Sequence, residues 1–348
     1  MLCALIMAGG KGTRFWPLST EEKPKQFLKL ISDETMIQMT VNRIKLIIPI
    51  ERIFVCTGEM YIDLVKEQLP ELSDRNIIVE PEGRNTTPCI ALSANIIKRY
   101  YKDSTIAVLP SDHLINDEDK FRKIILAAET FIENNKKAII TLGIKPTRAE
   151  TGYGYIKCSN KKYKSMESEV IKVDSFVEKP NKNLAEKYLN DGNYLWNGGM
   201  FIWTVDTILS EISKYSPITF KALNNIHDAK EEKLQELINK VYRDTEAISI
   251  DYSVLEKSKE VYVIPSNFGW DDIGSWEALE RYVKKDDLGN SLIGQAKSLK
   301  GNSNLLVSLN HKVIVEGLSD IYVIENDGKI IVGQKSNVIN VKELRNIV

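Results

Sequence analysis

The sequence predicts an α/β fold in which a mostly parallel sheet is covered by helices on both faces, followed by a small β domain. Short apolar segments alternate with helical patterns up to Gly143, which is typical of parallel sheets. A glycine-rich loop follows the first strand. From about Asn290, short β-rich segments are separated by glycine and asparagine. A chain of 348 residues is long enough for one large domain and a smaller one.

The strands of the first part are predicted from short apolar or β-branched runs. They are 2–7, 53–57, 77–79, 106–109 and 138–142. Helical patterns lie between them, at 36–46, 62–69, 88–101 and 121–134. Ligands bind beyond the carboxyl ends of the strands in such sheets. We therefore expect the glycine loop at Gly9 and the polar segments 81–86 and 110–113 to lie at one ligand-binding edge.

The pattern changes after Gly143. Strands of an antiparallel extension are predicted at 153–158, 170–177, 200–203 and 261–264. Helices are predicted at 184–189, 205–214, 231–241 and 275–284. The small β domain contains predicted strands at 305–309, 312–315, 321–325 and 329–332. The charged segment 284–287 is the predicted junction, which gives domains 1–285 and 286–348.

Composition excludes several classes of protein. A formal net charge of −1 argues against a nucleic-acid or membrane-surface binder, because such proteins present a broad positive face. The four cysteines form no Cys-x-x-Cys pair and lie in apolar segments, which favours buried thiols in a reducing compartment. No apolar run reaches the ~18 residues of a membrane span, and the apolar N-terminus lacks a basic leader. We expect a soluble, cytoplasmic protein.

The loop after the first strand has the composition of a polyphosphate site. Gly9, Gly10 and Gly12 allow a sharp turn in which backbone N–H groups converge on an anion. Positive charge comes from Lys11, Arg14, Lys23 and Lys25. A Walker loop is excluded because Thr13 follows Gly12, and a dinucleotide fingerprint is excluded because Phe15 holds its third glycine position. A glycine-rich hairpin with a solvated basic rim remains the alternative.

Two carboxylates are candidate metal ligands. Asp112 directly follows a predicted strand at the ligand edge, where it could hold Mg²⁺ against a triphosphate. Asp272 could complete that site, and its neighbour Asp271 should face the other way because adjacent strand residues alternate. Asp is equally favoured as a helix or turn cap, so this second interpretation of Asp112 stays open.

Two further segments could contact a sugar phosphate. Glu178 and Lys179 end a strand before Pro180, so the carboxylate could accept from sugar hydroxyls while the ammonium meets a phosphate. A surface ion pair before a turn is the alternative. Asn197 precedes two glycines that allow a ligand to approach the backbone, although a β-bulge would use the same residues.

Taken in order, these motifs resemble the sugar nucleotidyltransferase family. The shared segments are GGKGTRFWPLS at 9–19 with PKQ at 24–26, EPEGRNT at 80–86, LPSDH at 109–113, FVEKP at 176–180 and WDDIG at 270–274. The glycine loop and Glu-Lys-Pro are common to members that use UTP, dTTP or ATP. The segments FWPLS, PKQ and GRNT resemble the mannose-1-phosphate guanylyltransferase (GDP-mannose pyrophosphorylase) branch.

The resemblance implies an activity and a fold. The reaction would join GMP from GTP to α-D-mannose 1-phosphate, giving GDP-mannose and pyrophosphate by Mg²⁺-dependent in-line displacement without a covalent intermediate. The fold would be a Rossmann-like, GT-A-like mixed sheet flanked by helices, with a short left-handed parallel β-helix at the C-terminus. The family also implies a homodimer. Phosphomannose isomerase activity is not expected, because the additional domain of bifunctional members is missing.

The resemblance also assigns roles to individual residues. Nucleotide-binding positions would be Gly9, Gly10, Arg14, Lys25, Asn85 and Ser111, with Asn85 at the guanine and the two cations on the phosphates. The sugar phosphate would contact Gly154, Glu178, Lys179 and Asn197. The metal would be held by Asp112 and Asp272. The catalytic set would be Arg14, Lys25, Asp112, Lys179 and Asp272.

Three other functions remain open on the sequence. A guanylyltransferase for another manno-configured sugar 1-phosphate, such as a heptose, would keep every motif. A metal-dependent glycosyltransferase would require an Asp-x-Asp segment, which the sequence around Asp112 lacks. A silent regulatory homologue would be expected to have lost a phosphate-binding cation or a metal-binding carboxylate, and all are present.

Overall fold

The computed structural model describes residues 1–10 and 12–345. Lys11, one of the predicted loop cations, lies outside the described residues, as do residues 346–348 of the predicted small β domain. The side chains of residues 339, 340 and 342 are likewise outside the description.

Strands and helices alternate through most of the chain. The strands are β1 (Leu2–Met7), β2 (Ile53–Gly58), β3 (Ile77–Glu80), β4 (Thr105–Pro110), β5 (Leu114–Ile115), β6 (Ile139–Ile144), β7 (Tyr155–Ser165), β8 (Ser168–Val177), β9 (Tyr194–Thr204), β10 (Val261–Ser266), β11 (Trp270–Asp271), β12 (Ser291–Leu299), β13 (Leu305–Glu316), β14 (Ile321–Asn326) and β15 (Lys329–Gln334). The α-helices are α1 (Met36–Ile44), α2 (Ile62–Gln68), α3 (Thr86–Tyr100), α4 (Glu118–Asn134), α5 (Lys182–Asp191), α6 (Val205–Tyr215), α7 (Pro217–Leu223), α8 (Leu234–Val241), α9 (Trp276–Glu280) and α10 (Val341–Leu344). A short π-helix covers Asp251–Leu255.

The chain divides into two compact units. The large unit consists of Met1–Gly9, Thr40–Ser111 and Ile115–Trp270, and the small unit of Gly10–Met39, Asp112–Leu114 and Asp271–Val348. The small unit therefore combines the C-terminal strands with the residues that follow the first strand. The predicted domain boundary at 285/286 stays a prediction.

A nine-stranded sheet forms the centre of the large unit, in the order β3-β2-β1-β4-β9-β6-β10-β8-β7. Strands β1 to β4 pair in parallel, whereas β9 runs antiparallel to β4 and β6. The expected mixed α/β sheet is confirmed. The assignment of segment 261–264 to an antiparallel extension is wrong in part, because β10 pairs in parallel with β6 and antiparallel with β8. That parallel partner is more than a hundred residues away and leaves no local pattern.

The four parallel strands end at the same edge of the large sheet. Their register aligns Met7 with Cys56 and with Pro110, and the Ser111 amide donates to the Met7 carbonyl over 3.2 Å. Gly9, the segment 81–86 and Ser111 all follow these strands. Within the large unit, this is the edge at which α/β sheets bind ligands.

Burial explains why the central strands are almost entirely apolar. Strands β1, β2 and β4 are buried along nearly their whole length, as expected where helices cover both faces of a sheet. Cys3, Cys56 and Cys89 are buried in this core, as predicted, whereas the fourth cysteine, Cys158 on β7, is only partly buried. None of the helices in the described part of the chain combines the length and the apolar character that a membrane-spanning helix requires.

The small unit contains a four-stranded sheet in the order β12-β13-β14-β15. Strands β12, β13 and β14 pair in parallel, which fits the β-helix domain that the family resemblance implies. Strand β15 instead runs antiparallel to β14. The segments predicted as separate strands at 305–309 and 312–315 form the single strand β13, and β12 was not predicted from the sequence.

The segment after the glycine loop packs into the core of the small unit. The Phe15 side chain is completely buried, and its ring meets Trp276 edge-on with 5.1 Å between centroids. Trp16, Leu18, Leu28 and Leu30 belong to the same cluster, which also includes β13 and β14 residues. The Asn326 amide donates to the Pro17 carbonyl over 3.0 Å. The C-terminal strands thus hold the backbone on which Arg14 and Lys25 are carried.

Replacing Phe15 tests this anchoring. We expect Phe15→Ala to destabilise the protein by about 3–5 kcal/mol, because a fully buried ring leaves a cavity. Leu288→Ala is the control, since Leu288 lies in the same unit and is 53% exposed. Urea unfolding followed by tryptophan fluorescence measures both variants. Equal unfolding midpoints for the two would contradict a role for Phe15 in the core.

Candidate active site

The glycine loop leaves β1 beside a buried carboxylate. A Cβ on Gly9 would lie 3.2 Å from Oε2 of Glu80, so the absent side chain makes room for this carboxylate. Burial raises the pKa of Glu80 to about 6, and a hydrogen bond from the Tyr242 hydroxyl acts in the opposite direction. In the small unit, Gly12 has a φ of +45°, and a Cβ there would lie 2.6 Å from the Lys25 amide nitrogen. Glycine is required at Gly12 for both its conformation and its close backbone contact.

Lys25 joins two distant segments of the small unit. Its side chain is 4% exposed. The ammonium donates to the carbonyl oxygen of Asp112 and to its carboxylate Oδ2, both over 2.9 Å, and also to the Asp272 carbonyl. A lysine has three N–H donors, so these three acceptors match its full capacity. A buried ammonium is costly unless it is paired, and this arrangement pairs it completely.

The two predicted metal ligands are both brought to Lys25. Burial acts to raise the pKa of Asp112, but the charges of Lys25, His113 and Arg14 and the hydrogen bond from Lys25 outweigh it and hold this pKa below its usual value. The carboxylate is therefore ionised at neutral pH. Arg14 Nη1 lies 3.8 Å from Oδ2 of Asp272. The carboxylate oxygens of Asp112 and Asp272 beside these cations fit Mg²⁺, which proteins usually hold through one or two carboxylates together with substrate phosphates.

The adjacent aspartates have different environments, but Asp271 is buried and does not face outward as predicted. Its carboxylate accepts from Arg281 over 2.7 Å, from the Tyr282 hydroxyl over 3.0 Å and from the Ile273 amide over 2.8 Å. It is therefore a structural anchor of the turn that presents Asp272. Gly274 keeps space open there, because a Cβ would lie 3.0 Å from Asp272 Oδ2 and 3.1 Å from Arg14 Nη1.

Asn85 and Ser111 lie at the carboxyl edge of the large sheet. Asn85 is exposed and caps α3, with its side-chain oxygen accepting from the Thr86 amide over 2.9 Å. Its φ of +69° is uncommon for a residue other than glycine. Ser111 is buried, and its carbonyl accepts from the Thr40 hydroxyl over 3.2 Å. Their predicted roles at the nucleotide stay predictions.

The residues predicted to contact the sugar phosphate form a second cluster, in the large unit. A Cβ on Gly154 would lie 2.5 Å from Glu178 Oε2 and 3.3 Å from Cβ of Asn197, so only glycine leaves room between these side chains. Glu178 is 9% exposed and pairs through Oε1 with the Lys179 ammonium over 2.8 Å. Lys179 is 58% exposed and has a φ of +46°. Its ammonium is thus accessible to a ligand.

Sequence reasoning missed Asp251, a member of the same cluster. Asn197 donates from Nδ2 to Asp251 Oδ1 over 2.9 Å. Burial, together with the charge of the nearby Glu178 carboxylate, raises the pKa of Asp251 to about 6, while Asn197 and Lys179 act against this rise. No glycine, proline or paired charge marks this position in the sequence, and only the fold brings it beside Asn197.

A three-residue group of possible metal ligands also occurs in the large unit. The ligand atoms of Cys56, Glu80 and Cys89 lie within 4.8 Å of one another, and all three residues are buried. Burial raises the pKa of Cys56, while a hydrogen bond with Cys56, followed by burial, raises that of Cys89. Buried, protonated thiols are unreactive, so we interpret this group as part of the core.

The predicted site residues thus fall into separate sets. Arg14, Lys25, Asp112 and Asp272 meet in the small unit. Gly154, Glu178, Lys179 and Asn197 cluster in the large unit. Gly9, Asn85 and Ser111 follow parallel strands of the large sheet, and Gly10, with a φ of +97°, continues the loop in the small unit. The first set consists of two cations and two carboxylates, whereas the second combines one such ion pair, Glu178 with Lys179, with a glycine and an amide.

Known proteins share both the sequence and the fold of this chain. Residues 3–287 match the family described as nucleotidyl transferase. A mannose-1-phosphate guanylyltransferase of Escherichia coli is 36% identical over 99% of this chain and 75% of its own length. The xanthan biosynthesis protein XanB of Xanthomonas campestris pv. campestris is 35% identical over 98% of this chain and 72% of its own. A Thermus thermophilus crystal structure, described as mannose-1-phosphate geranyltransferase, has a TM-score of 0.86 with 29% identity and covers 99% and 98% of the two chains.

The family match covers the large sheet together with the glycine loop, Asp112, Glu178, Lys179 and Asp272. The similarity to the Escherichia coli and Xanthomonas proteins extends over nearly the whole chain. The chain therefore belongs to the nucleotidyl transferase family, in the group of enzymes that includes the mannose-1-phosphate guanylyltransferases.

Proposed function

We propose that this enzyme transfers GMP from GTP to α-D-mannose 1-phosphate, giving GDP-mannose and pyrophosphate. The observation that carries the proposal is the contact of Lys25 with the Asp112 carboxylate and the Asp272 backbone carbonyl, 87 and 247 residues away in the sequence, together with the Arg14–Asp272 ion pair. It assembles cations and carboxylates of the kind that phosphoryl transfer requires. The curated relatives named mannose-1-phosphate guanylyltransferase, at 36–37% identity, support the choice of substrates.

The small-unit cluster would act on the triphosphate. Arg14 is 65% exposed on its side chain and can donate to phosphate oxygens, including those of the departing pyrophosphate. The donors of Lys25 are already engaged by protein oxygens, so a phosphate contact by this residue requires it to exchange one of them. Asp112 and Asp272 would hold Mg²⁺, which when bound neutralises charge on the triphosphate.

The large-unit cluster would hold the sugar phosphate. Glu178 and Asn197 border the space left by Gly154, which suits the hydroxyl groups of a sugar ring. Lys179 is exposed and cationic, which suits the phosphate. An oxygen of that phosphate would attack the α-phosphorus of GTP as the bond to the pyrophosphate oxygen breaks. No side-chain nucleophile is needed, so positioning and charge neutralisation provide the catalysis.

We also propose a location, an oligomeric state and a base contact for this enzyme. A cytoplasmic location, a homodimer, and Asn85 beside the guanine follow from the sequence and its resemblance to the family. A heptose 1-phosphate in place of mannose 1-phosphate is the second candidate substrate, because both sugars have the manno configuration.

Pyrophosphate release from pairs of substrates tests the proposed activity. GTP, ATP, UTP and dTTP are each combined with the 1-phosphates of mannose, glucose and a manno-configured heptose, with and without Mg²⁺. We expect the fastest release from GTP with mannose 1-phosphate, and loss of release when EDTA removes the metal. Faster turnover of the heptose would favour the second candidate, and release with glucose 1-phosphate and UTP would contradict both.

Asp112→Asn tests the metal site and keeps an oxygen acceptor for Lys25. We expect turnover to fall by about a hundredfold or more, because charge stabilisation of the reacting phosphates is lost. Asp287→Asn, which removes an exposed carboxylate from the same unit, should be fully active. Circular dichroism establishes that both variants are folded. Normal turnover by Asp112→Asn would remove this residue from the metal site.

Lys179→Ala tests the sugar-phosphate contact. We expect the KM for mannose 1-phosphate to rise by about tenfold or more, since one charge-assisted hydrogen bond contributes about 1.5–3 kcal/mol, while the KM for GTP stays nearly constant. Lys182→Ala is the matched control, because this exposed lysine lies at the start of α5. Equal increases in both KM values would refute the assignment.

A further inference from the structure

The position of Asp251 suggests a role that its sequence context does not. It begins the short π-helix Asp251–Leu255, whereas Asn197 lies in β9 and Glu178 follows β8. The 2.9 Å contact between Asn197 Nδ2 and Asp251 Oδ1 connects the π-helix directly to the predicted sugar-binding cluster. The Glu178 carboxylate also lies near Asp251, and its charge raises the pKa of Asp251.

The amide of Asn197 is held in one orientation by its partners. Its oxygen accepts from the Thr141 hydroxyl over 3.1 Å and from the Gly199 amide over 3.1 Å. Two acceptances use both lone pairs of an amide oxygen. Its nitrogen faces the Asp251 carboxylate, which can only accept when ionised. One N–H of Asn197 remains for a ligand, so Asn197 acts as a donor and not as an acceptor.

Gly154 shows that the space beside these groups is narrow. The backbone amide of Asn197 donates to the Gly154 carbonyl over 2.8 Å, which fixes the glycine next to the strand that carries the amide. Glu178 Oε2 lies only 2.5 Å from the position that a Gly154 Cβ would take. A carboxylate acceptor and an amide donor thus border the same glycine.

We propose that Asp251 is a positioning residue that determines sugar specificity, by fixing Asn197 as a hydrogen-bond donor beside the Glu178 acceptor. This inference rests on the proposed function, since it concerns the sugar phosphate of that reaction. A sugar hydroxyl can accept from the Asn197 N–H and donate its own proton to the Glu178 carboxylate. A fluorine can accept weakly but cannot donate, and a deoxy position can do neither.

The ionisation of Asp251 makes this arrangement sensitive to pH. Burial and the Glu178 charge raise the pKa of Asp251 to about 6, against the effect of Lys179. Above pH 6 the carboxylate accepts from Asn197. Below pH 6 protonation weakens that contact, so the affinity for the sugar phosphate should fall. The phosphate of the substrate also titrates near pH 6, and therefore only a comparison of variants isolates Asp251.

Steady-state kinetics with GTP and mannose 1-phosphate test the proposal. Asp251→Ala removes the acceptor, whereas Asp251→Asn keeps an acceptor oxygen and removes the charge. At pH 7.5 we expect Asp251→Ala to raise the KM for mannose 1-phosphate by about tenfold, as for one lost hydrogen bond to a charged group, with the KM for GTP unchanged. Asp251→Asn should recover part of this loss. Its kcat/KM for the sugar phosphate should decline less steeply below pH 6 than that of the wild type.

A set of monodeoxy and monofluoro mannose 1-phosphates provides the second measurement. At one hydroxyl position, the wild type should use both the deoxy and the fluoro analogue poorly compared with mannose 1-phosphate. Asp251→Ala should reduce this preference for mannose 1-phosphate. Asp206→Asn is the control, since Asp206 is an exposed carboxylate of the same unit that pairs with Lys98 on α3. This analogue series also tests the wild type alone, should a variant fail to fold.

The outcomes separate this inference from the proposed function. If the wild type turns over GTP and mannose 1-phosphate, and Asp251→Ala leaves the KM for the sugar phosphate unchanged, the inference alone is overturned. Equal increases in the KM values of both substrates, or equal acceptance of every deoxy analogue by the wild type, do the same. A wild type that releases no pyrophosphate with any substrate pair overturns the proposed function and the inference with it.

Discussion

The hydrogen bonds of the Lys25 ammonium organise the charged part of this enzyme. A buried cation must meet acceptors, and the available acceptors belong to Asp112 and Asp272, which reach it from opposite parts of the sequence. The same contact lowers the pKa of the Asp112 carboxyl and keeps it ionised. Gly12 in the preceding loop allows this arrangement, because the backbone of Lys25 lies too close to Gly12 for any side chain there. The conformation of the loop and the charge of the Asp112 carboxylate are therefore coupled through one side chain.

Much of the large unit could be predicted from the sequence because its signals are local. Strand β1 has its predicted limits. Strands β2, β3, β4 and β6 each begin and end within two residues of their predicted limits. Strands β1, β2, β4 and β6 are buried along nearly their whole length, so their residues are mostly apolar, whereas β3 alternates between buried and partly buried residues. The polar segments after β1, β3 and β4 could be assigned to one edge because parallel neighbours end together. The residue types that carry charge are also few, and the predicted candidates Arg14, Lys25, Asp112 and Asp272 do lie together in the structure, while their roles at a phosphate stay predictions.

The remaining features depend on contacts between distant residues. Strand β10 looks like any short apolar segment, and its parallel pairing with β6 leaves no trace in either sequence. Asp251 lies in a segment without turn or motif signals, and its proximity to Asn197 is created by the fold alone. The same is true of β12, whose side chains alternate between polar and apolar too irregularly to mark a strand, and of the antiparallel direction of β15. A sequence pattern depends on residues that are close in sequence, whereas these features depend on residues that only the fold brings together.

The packing of Phe15 against Trp276 has a consequence for how such enzymes can be recombined. The C-terminal strands look like an appendage when the chain is drawn as a line, and exchanging them between relatives would seem a simple graft. Their core, however, is completed by Phe15, Trp16, Leu18, Leu28 and Leu30, which come from the first tenth of the chain. A chimaera that imports only the C-terminal strands would combine two halves of a core that never evolved together. The natural unit of exchange is discontinuous, and a successful transplant must carry the early segment with the late one.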